Sequence, residues 1–110
     1  DYSAFCADFS ELGEVYFRPL KEWTGGMRGR LAFAASLGAP ASTYLADSKL
    51  AGGDRPFAEK CLTALRERLR DTGLIFVTSV PRLTEELCER HAVVVGGKIV
   101  PCASYDEAAE

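Results

Sequence analysis

Leu74-Ile75-Phe76-Val77 is the strongest strand signal in the chain. Four consecutive apolar residues without alternation form the pattern of a strand buried on both faces. Just upstream, Phe57, Cys61, Leu62, Leu65 and Leu69 recur at helical spacing, and Gly73 ends that helix. Asp54 can cap it and Pro56 sits in its first turn. Gly52-Gly53-Asp54 reads as a turn, and Thr43-Tyr44-Leu45-Ala46 before it is a short β-leaning run that stops at Asp47. Further upstream, Tyr2, Phe5, Cys6, Phe9 and Leu12 mark a helix that stops at Gly13, followed by an irregular stretch with Tyr16, Phe17, Pro19 and Trp23. A second helix is expected to start after Thr24-Gly25-Gly26 and run from Met27 to Leu37. It is apolar on most sides and so predicted to be buried. Downstream of Val77, Ser79 is expected to cap a helix with Pro81 near its start and Leu83 and Leu87 inward. Ala92–Val95 and Lys98–Val100 flank Gly96-Gly97 as a β-hairpin. Ser104 and Glu107 have capping-box spacing for a last short helix. This order predicts an α/β domain with parallel core strands, a C-terminal β-hairpin and surrounding helices.

With 110 residues the chain is one domain at most. An apolar share of 47% suits a globular core. The net charge of −3, and basic residues interleaved with acids as in Arg66-Glu67-Arg68, argue against a nucleic-acid surface. Cys6, Cys61, Cys88 and Cys102 form no C-x-x-C pair, and the sole histidine, His91, has no neighbouring ligand group. Isolated thiols in a reducing compartment are expected rather than a metal site. No apolar run approaches the ~20 residues that span a bilayer. No signal-peptide pattern opens the chain. These features predict a cytoplasmic protein, with room for a peripheral place at the inner membrane.

Trp23-Thr24-Gly25-Gly26-Met27-Arg28-Gly29-Arg30-Leu31, Tyr44-Leu45-Ala46-Asp47-Ser48 and Gly52-Gly53-Asp54 stand in one order across the chain. They resemble the signature loop, Walker B strand end and D-loop of ABC (ATP-binding-cassette) ATPases, in the branch that serves capsular and other polysaccharide exporters. The resemblance covers essentially the whole chain and implies a partial P-loop NTPase fold, the C-terminal half of a nucleotide-binding domain. Residues 1–38 would be the end of the helical subdomain plus the signature helix, and residues 39–110 the part from Walker B onward. In such dimers the signature loop of one subunit closes on ATP held by the P-loop of the other. Thr24, Gly25, Gly26 and Met27 would then be nucleotide-binding, with backbone N–H groups at a helix start that favours an anion. Asp47 would hold a Mg²⁺-bound water, and Asp54 would be the D-loop carboxylate. Plainer readings stand beside these: a Gly-Gly turn before a buried helix, a strand-end Asp capping a turn, and an N-cap.

The departures from the pattern matter as much. Ser48 stands where the resemblance implies a Glu acting as general base, and a hydroxyl cannot take up a proton near neutral pH. Ser79 stands where it implies a γ-phosphate-contacting His. No G-x-x-x-x-G-K-[ST] occurs, since Lys98 follows Gly97 without the earlier glycine or the Ser/Thr. The resemblance implies a P-loop upstream of Asp1, and so a chain that starts in mid-domain. No catalytic residue is assigned. The expected role is a degenerate or truncated export ATP-binding subunit that contributes signature-loop and D-loop surfaces to a nucleotide-bridged dimer. ATP and Mg²⁺ would be used only with a partner supplying the P-loop. That partner would be a second ABC ATPase subunit or a second copy, with a membrane-spanning exporter subunit beside it. The alternative is a small α/β interaction module without nucleotide. The signature glycines and Asp47 are expected not to face one pocket within a single chain.

Overall fold

Two short sheets hold the strands of the computed structural model, which describes residues 1–48, 50, 54–79 and 82–103. In chain order the elements are α1 (Tyr2–Ser10), two 3-10 turns (Gly13–Phe17 and Leu20–Glu22), α2 (Gly25–Gly38), β1 (Thr43–Asp47) and α3 (Arg55–Arg68). They are followed by β2 (Gly73–Val77), α4 (Arg82–Leu87), β3 (His91–Val95) and β4 (Lys98–Cys102). β1 and β2 pair in parallel, with α3 as the crossover, from Thr43↔Gly73 to Asp47↔Val77. β3 and β4 form the antiparallel hairpin. Gly96 (φ 55°) and Gly97 (φ 78°) supply the two left-handed residues that its two-residue turn needs.

The core lies between α1, α2, α3 and one face of β1–β2. Phe9, Ala34, Leu37, Leu50, Phe57, Cys61 and Leu65 are buried together, with Tyr44, Ala46, Leu74 and Phe76 of the sheet and Leu83 and Leu87 of α4 against them. α3 forms because its buried positions fall on one stripe, Asp54 accepts the Phe57 N–H at 3.0 Å, and Arg66 and Arg68 face the negative end of the helix dipole. Lys60 reaches from α3 to the end of α1. Its Nζ donates to the Phe9 carbonyl at 2.9 Å, pairs with Glu11 at 3.1 Å and lies 4.4 Å from the Phe9 ring centroid.

α1 and α2 pack closely enough that Gly38 has no room for a side chain. A Cβ there would lie 2.5 Å from Cδ1 of Phe5, whose ring stacks on Phe9. Gly38→Ala is therefore expected to cost about 1–3 kcal/mol in urea unfolding. Gly29→Ala, where a Cβ meets nothing within 4 Å, should be neutral or stabilising. Equal effects at the two positions would refute this reading of the helix contact.

Several expectations need correction. β2 is not buried on both faces: Ile75 and Val77, with Leu45 of β1, are 58%, 60% and 78% exposed. Among the described residues this sheet has two strands and no second layer over that face. α2 begins at Gly25 rather than Met27, because Thr24 caps it. Only Ala34 and Leu37 of α2 are buried, since α1 and α3 cover one side of it. α1 ends at Ser10 because Glu11 (φ 54°) takes the left-handed cap conformation before Gly13 is reached. Gly73 opens β2 instead of closing α3. The stretch from Gly13 to Trp23 contains the two 3-10 turns, held where Trp23 donates to the Arg18 carbonyl at 3.1 Å. Val80, Pro81 and the Ser104–Glu107 helix signal lie outside the described residues, as do Gly52 and Gly53 of the expected turn.

Candidate functional site

Thr24 is extended (φ −74°, ψ 166°), and its Oγ1 accepts the Met27 N–H at 3.2 Å. Gly25, Gly26 and Met27 form the first helical turn, and Thr24, Gly25 and Gly26 are exposed while Met27 is half-buried. The fold gives no internal reason for the glycines. Neither has a positive φ; a Cβ on Gly25 would meet nothing within 4 Å, and one on Gly26 only the Thr24 hydroxyl at 3.9 Å. Glycine in a helix costs roughly 0.5–1 kcal/mol relative to alanine. What this composition provides is an uncovered backbone, open to close approach.

Asp47 ends β1 with its side chain exposed. Ser48 turns the chain out of the strand at φ 69°, a left-handed conformation uncommon for serine. Its N–H donates to the Val77 carbonyl at 2.8 Å and its hydroxyl donates to Asp47 Oδ1 at 3.1 Å. Ser79 is exposed just beyond β2. Asp47, Ser48 and Ser79 thus share the C-terminal edge of the parallel pair, where ligands bind in open α/β sheets. A solvated carboxylate there can hold a cation-bound water, but the serines offer no base. His91 lies in the other sheet.

The expected separation of the glycine turn from Asp47 does not hold. α2 runs along the open edge of β1, so Gly25, Gly26, Gly29 and Phe33 line the same mainly apolar cleft of about 550 Å³ as Leu45 and Asp47. A second cleft of about 420 Å³ on the other side of this helix start is lined by Glu11, Thr24, Gly26, Arg30 and Asp54. In it Asp54 uses both oxygens: Oδ1 caps α3 through the Phe57 N–H, and Oδ2 accepts from Arg30 Nη2 at 3.2 Å. The Arg30 guanidinium also lies 4.7 Å from the Phe57 ring centroid. No sequence periodicity links residues 24 positions apart, and nothing in the pattern separates Arg30 from Arg28, the other arginine of the same helix.

Cys6 and Cys61 are buried and Cys88 and Cys102 half-buried, and none of the four is in a disulfide; burial pushes the Cys88 thiol up. Among the described residues no three His, Cys, Asp or Glu side chains are grouped to hold a metal, and no helix is long and apolar enough to cross a membrane.

No protein-family model matches the chain. Curated relatives do. The chain is 40% identical over 98 residues to the ATP-binding protein BexA of Haemophilus influenzae, which covers 88% of this chain and 45% of that protein. It is 37% identical to the capsule polysaccharide export ATP-binding protein CtrD of Neisseria meningitidis serogroup B, across 100% of this chain and 51% of that one. It is 32% identical to the teichoic acids export ATP-binding protein TagH of Staphylococcus epidermidis, over 91% of this chain and 38% of that one. The chain therefore spans about half the length, or less, of the relatives it matches. Likeness of this extent, running through the glycine turn, the Asp47 strand end and the helix behind Asp54, makes ATP-binding proteins of ABC transporters the curated homologues of this chain.

Proposed function

We propose that this chain supplies a signature-loop surface, Thr24, Gly25, Gly26 and Met27, and a D-loop carboxylate, Asp54, to a nucleotide-bridged dimer serving polysaccharide export, and that it does not hydrolyse ATP by itself. The observation that carries the reading is the capped, solvent-facing glycine turn, whose glycines no packing or φ requirement explains. A helix start with exposed Gly25 and Gly26 backbone suits a phosphate held by another subunit. Asp47 would hold a Mg²⁺-bound water at the strand edge. Ser48 and Ser79 leave that edge without a general base or an imidazole, the basis for calling it degenerate. The P-loop would come from a partner, a second ABC ATPase subunit or a second copy of this protein. A membrane-spanning exporter subunit would complete the assembly, with the protein peripheral at the inner membrane. Residues 1–38 and 39–110 correspond in this reading to the helical-subdomain end and the Walker B half.

The isolated chain is expected to show no phosphate release above a no-protein control, since losing a general base alone costs about 10²–10⁴-fold. Release that Asp47→Ala abolishes would overturn this. Gly26→Val, which adds bulk where the phosphate would approach and has open space around it, should abolish stimulation of a complete subunit such as CtrD and leave the melting temperature nearly unchanged. Unaltered stimulation would instead favour an interaction module without nucleotide. The exposed apolar face of Leu45, Ile75 and Val77 is the feature that speaks for that second reading.

A further inference from the structure

We infer that Arg30 is a positioning residue that fixes the glycine turn of α2 to the first turn of α3, so that Thr24-Gly25-Gly26 and Asp54 are presented as one rigid surface. The inference rests on the nucleotide-facing reading of that turn.

Arg30 lies six residues beyond Thr24, and its side chain is 24% exposed, unusually covered for an arginine beside solvent. Two contacts account for its placement. Nη2 donates to Asp54 Oδ2 at 3.2 Å, the guanidinium lies 4.7 Å from the centroid of the Phe57 ring, and Phe57 is itself 2% exposed and anchored in the core. Asp54 cannot drift away from this pair, because its other oxygen holds the Phe57 N–H at 3.0 Å. The guanidinium is thus fixed on two sides at once, by a carboxylate and by a ring that belong to the same helical turn. The planar fork of arginine suits such a place, since it stacks and pairs together.

The consequence is geometric. α2 and α3 share the core through Ala34, Leu37, Phe57, Cys61 and Leu65, and at the glycine end of α2 it is Arg30 that ties the helix to Asp54 and Phe57. Gly26 lines both clefts, with Asp47 across the one and Asp54 across the other. A first turn free to tilt away from α3 would still be capped by Thr24. Its N–H groups would no longer point in one direction relative to Asp54, and an anion held by another subunit would meet them only part of the time.

Asp54→Asn separates the two duties of the aspartate, because asparagine caps helices as well as aspartate does but carries no charge for Arg30. Arg30→Leu removes the pair and keeps an apolar side chain over Phe57. The measurement is stimulation of complete CtrD by the full chain as a function of Mg²⁺-ATP, with melting temperatures alongside. Arg30→Leu is expected to raise the half-saturating ATP concentration about tenfold with the maximal rate kept, and Asp54→Asn to raise it by a similar factor. The double variant should go no further than either single one, because both remove the same interaction. Arg30→Lys, which restores a charge opposite Asp54, should recover most of the loss. A purely structural role would instead lower melting temperature and maximal rate together, with no rescue by lysine. If Gly26→Val abolishes stimulation while Arg30→Leu and Asp54→Asn leave half-saturation unchanged, the bridge is refuted and the nucleotide-facing reading stands. If Gly26→Val also has no effect, both are refuted.

Discussion

Phe57→Ala is expected to unfold the chain at room temperature or leave it only marginally folded. Phe57 is 2% exposed and sits where three elements meet. Its ring makes an edge contact with Phe9 of α1, centroids 5.8 Å apart at 74°, and receives Arg30 of α2 on its face. Lys60 lies 5.9 Å from its centroid. Truncation to alanine removes the ring from all of these at once and leaves a cavity, at a cost of about 3–5 kcal/mol. Domains are stable by only about 5–15 kcal/mol, and a domain of this size buries less of its surface than a larger one. The loss is thus a large share of the total. Phe57→Leu, which keeps most of the volume, should cost about 1–1.5 kcal/mol. Urea unfolding followed by far-UV circular dichroism measures both. An alanine variant melting within a few degrees of the parent would show that α1, α2 and α3 are held together elsewhere.

The open face of β1–β2 leads to the other large effect, on association rather than folding. A two-stranded sheet is marginal by itself. Here its second face presents Leu45, Ile75 and Val77 to water, and among the described residues neither outer edge is paired. Exposed apolar strands with open edges are templates for pairing. The parent chain is therefore expected to associate in a concentration-dependent way. Leu45→Thr, Ile75→Thr and Val77→Thr together should convert it to a monomer in light scattering, because all three point away from the core that holds the fold. Threonine keeps the β-branched preference for a strand. A parent that stays monomeric at high concentration would refute this, as would a triple variant that associates equally.

The elements with strong local signals were legible from the residues alone. The stripe of Phe57, Cys61 and Leu65 marked α3, Asp54 marked its cap, and Gly96-Gly97 marked the hairpin turn. What failed was burial. Leu74–Val77 is as apolar as a strand covered on both sides, but composition cannot report whether a second layer is present, and none of the described residues forms one here. α2 was misjudged for a related reason: a run of alanines is compatible with a buried helix and equally with a half-exposed one. The glycine turn and Asp47 were legible as motifs, and their meeting in one cleft was not, because that depends on α2 lying beside the edge of β1. The Arg30–Asp54 bridge was invisible for the same reason, being a tertiary contact between separated segments.

The parallel register also has a consequence for the order in which the molecule assembles. Each β1 residue finds its mate thirty positions further along the chain, and no turn can bring them together. Only a formed crossover shortens the gap. α3, 14 residues long and started by its own cap, spans most of it, and once helical it carries the start of β2 back toward the start of β1. The entropy of closing the remaining loop is then small, since it grows only logarithmically with length. The hairpin needs no such help, as its partners are joined by a two-residue turn and none of its residues joins the core cluster. Refolding should therefore show a fast, local event in the last quarter of the chain and a slower one in which α3, β1 and β2 appear together. Substitutions that weaken α3 should slow the second and leave the first alone.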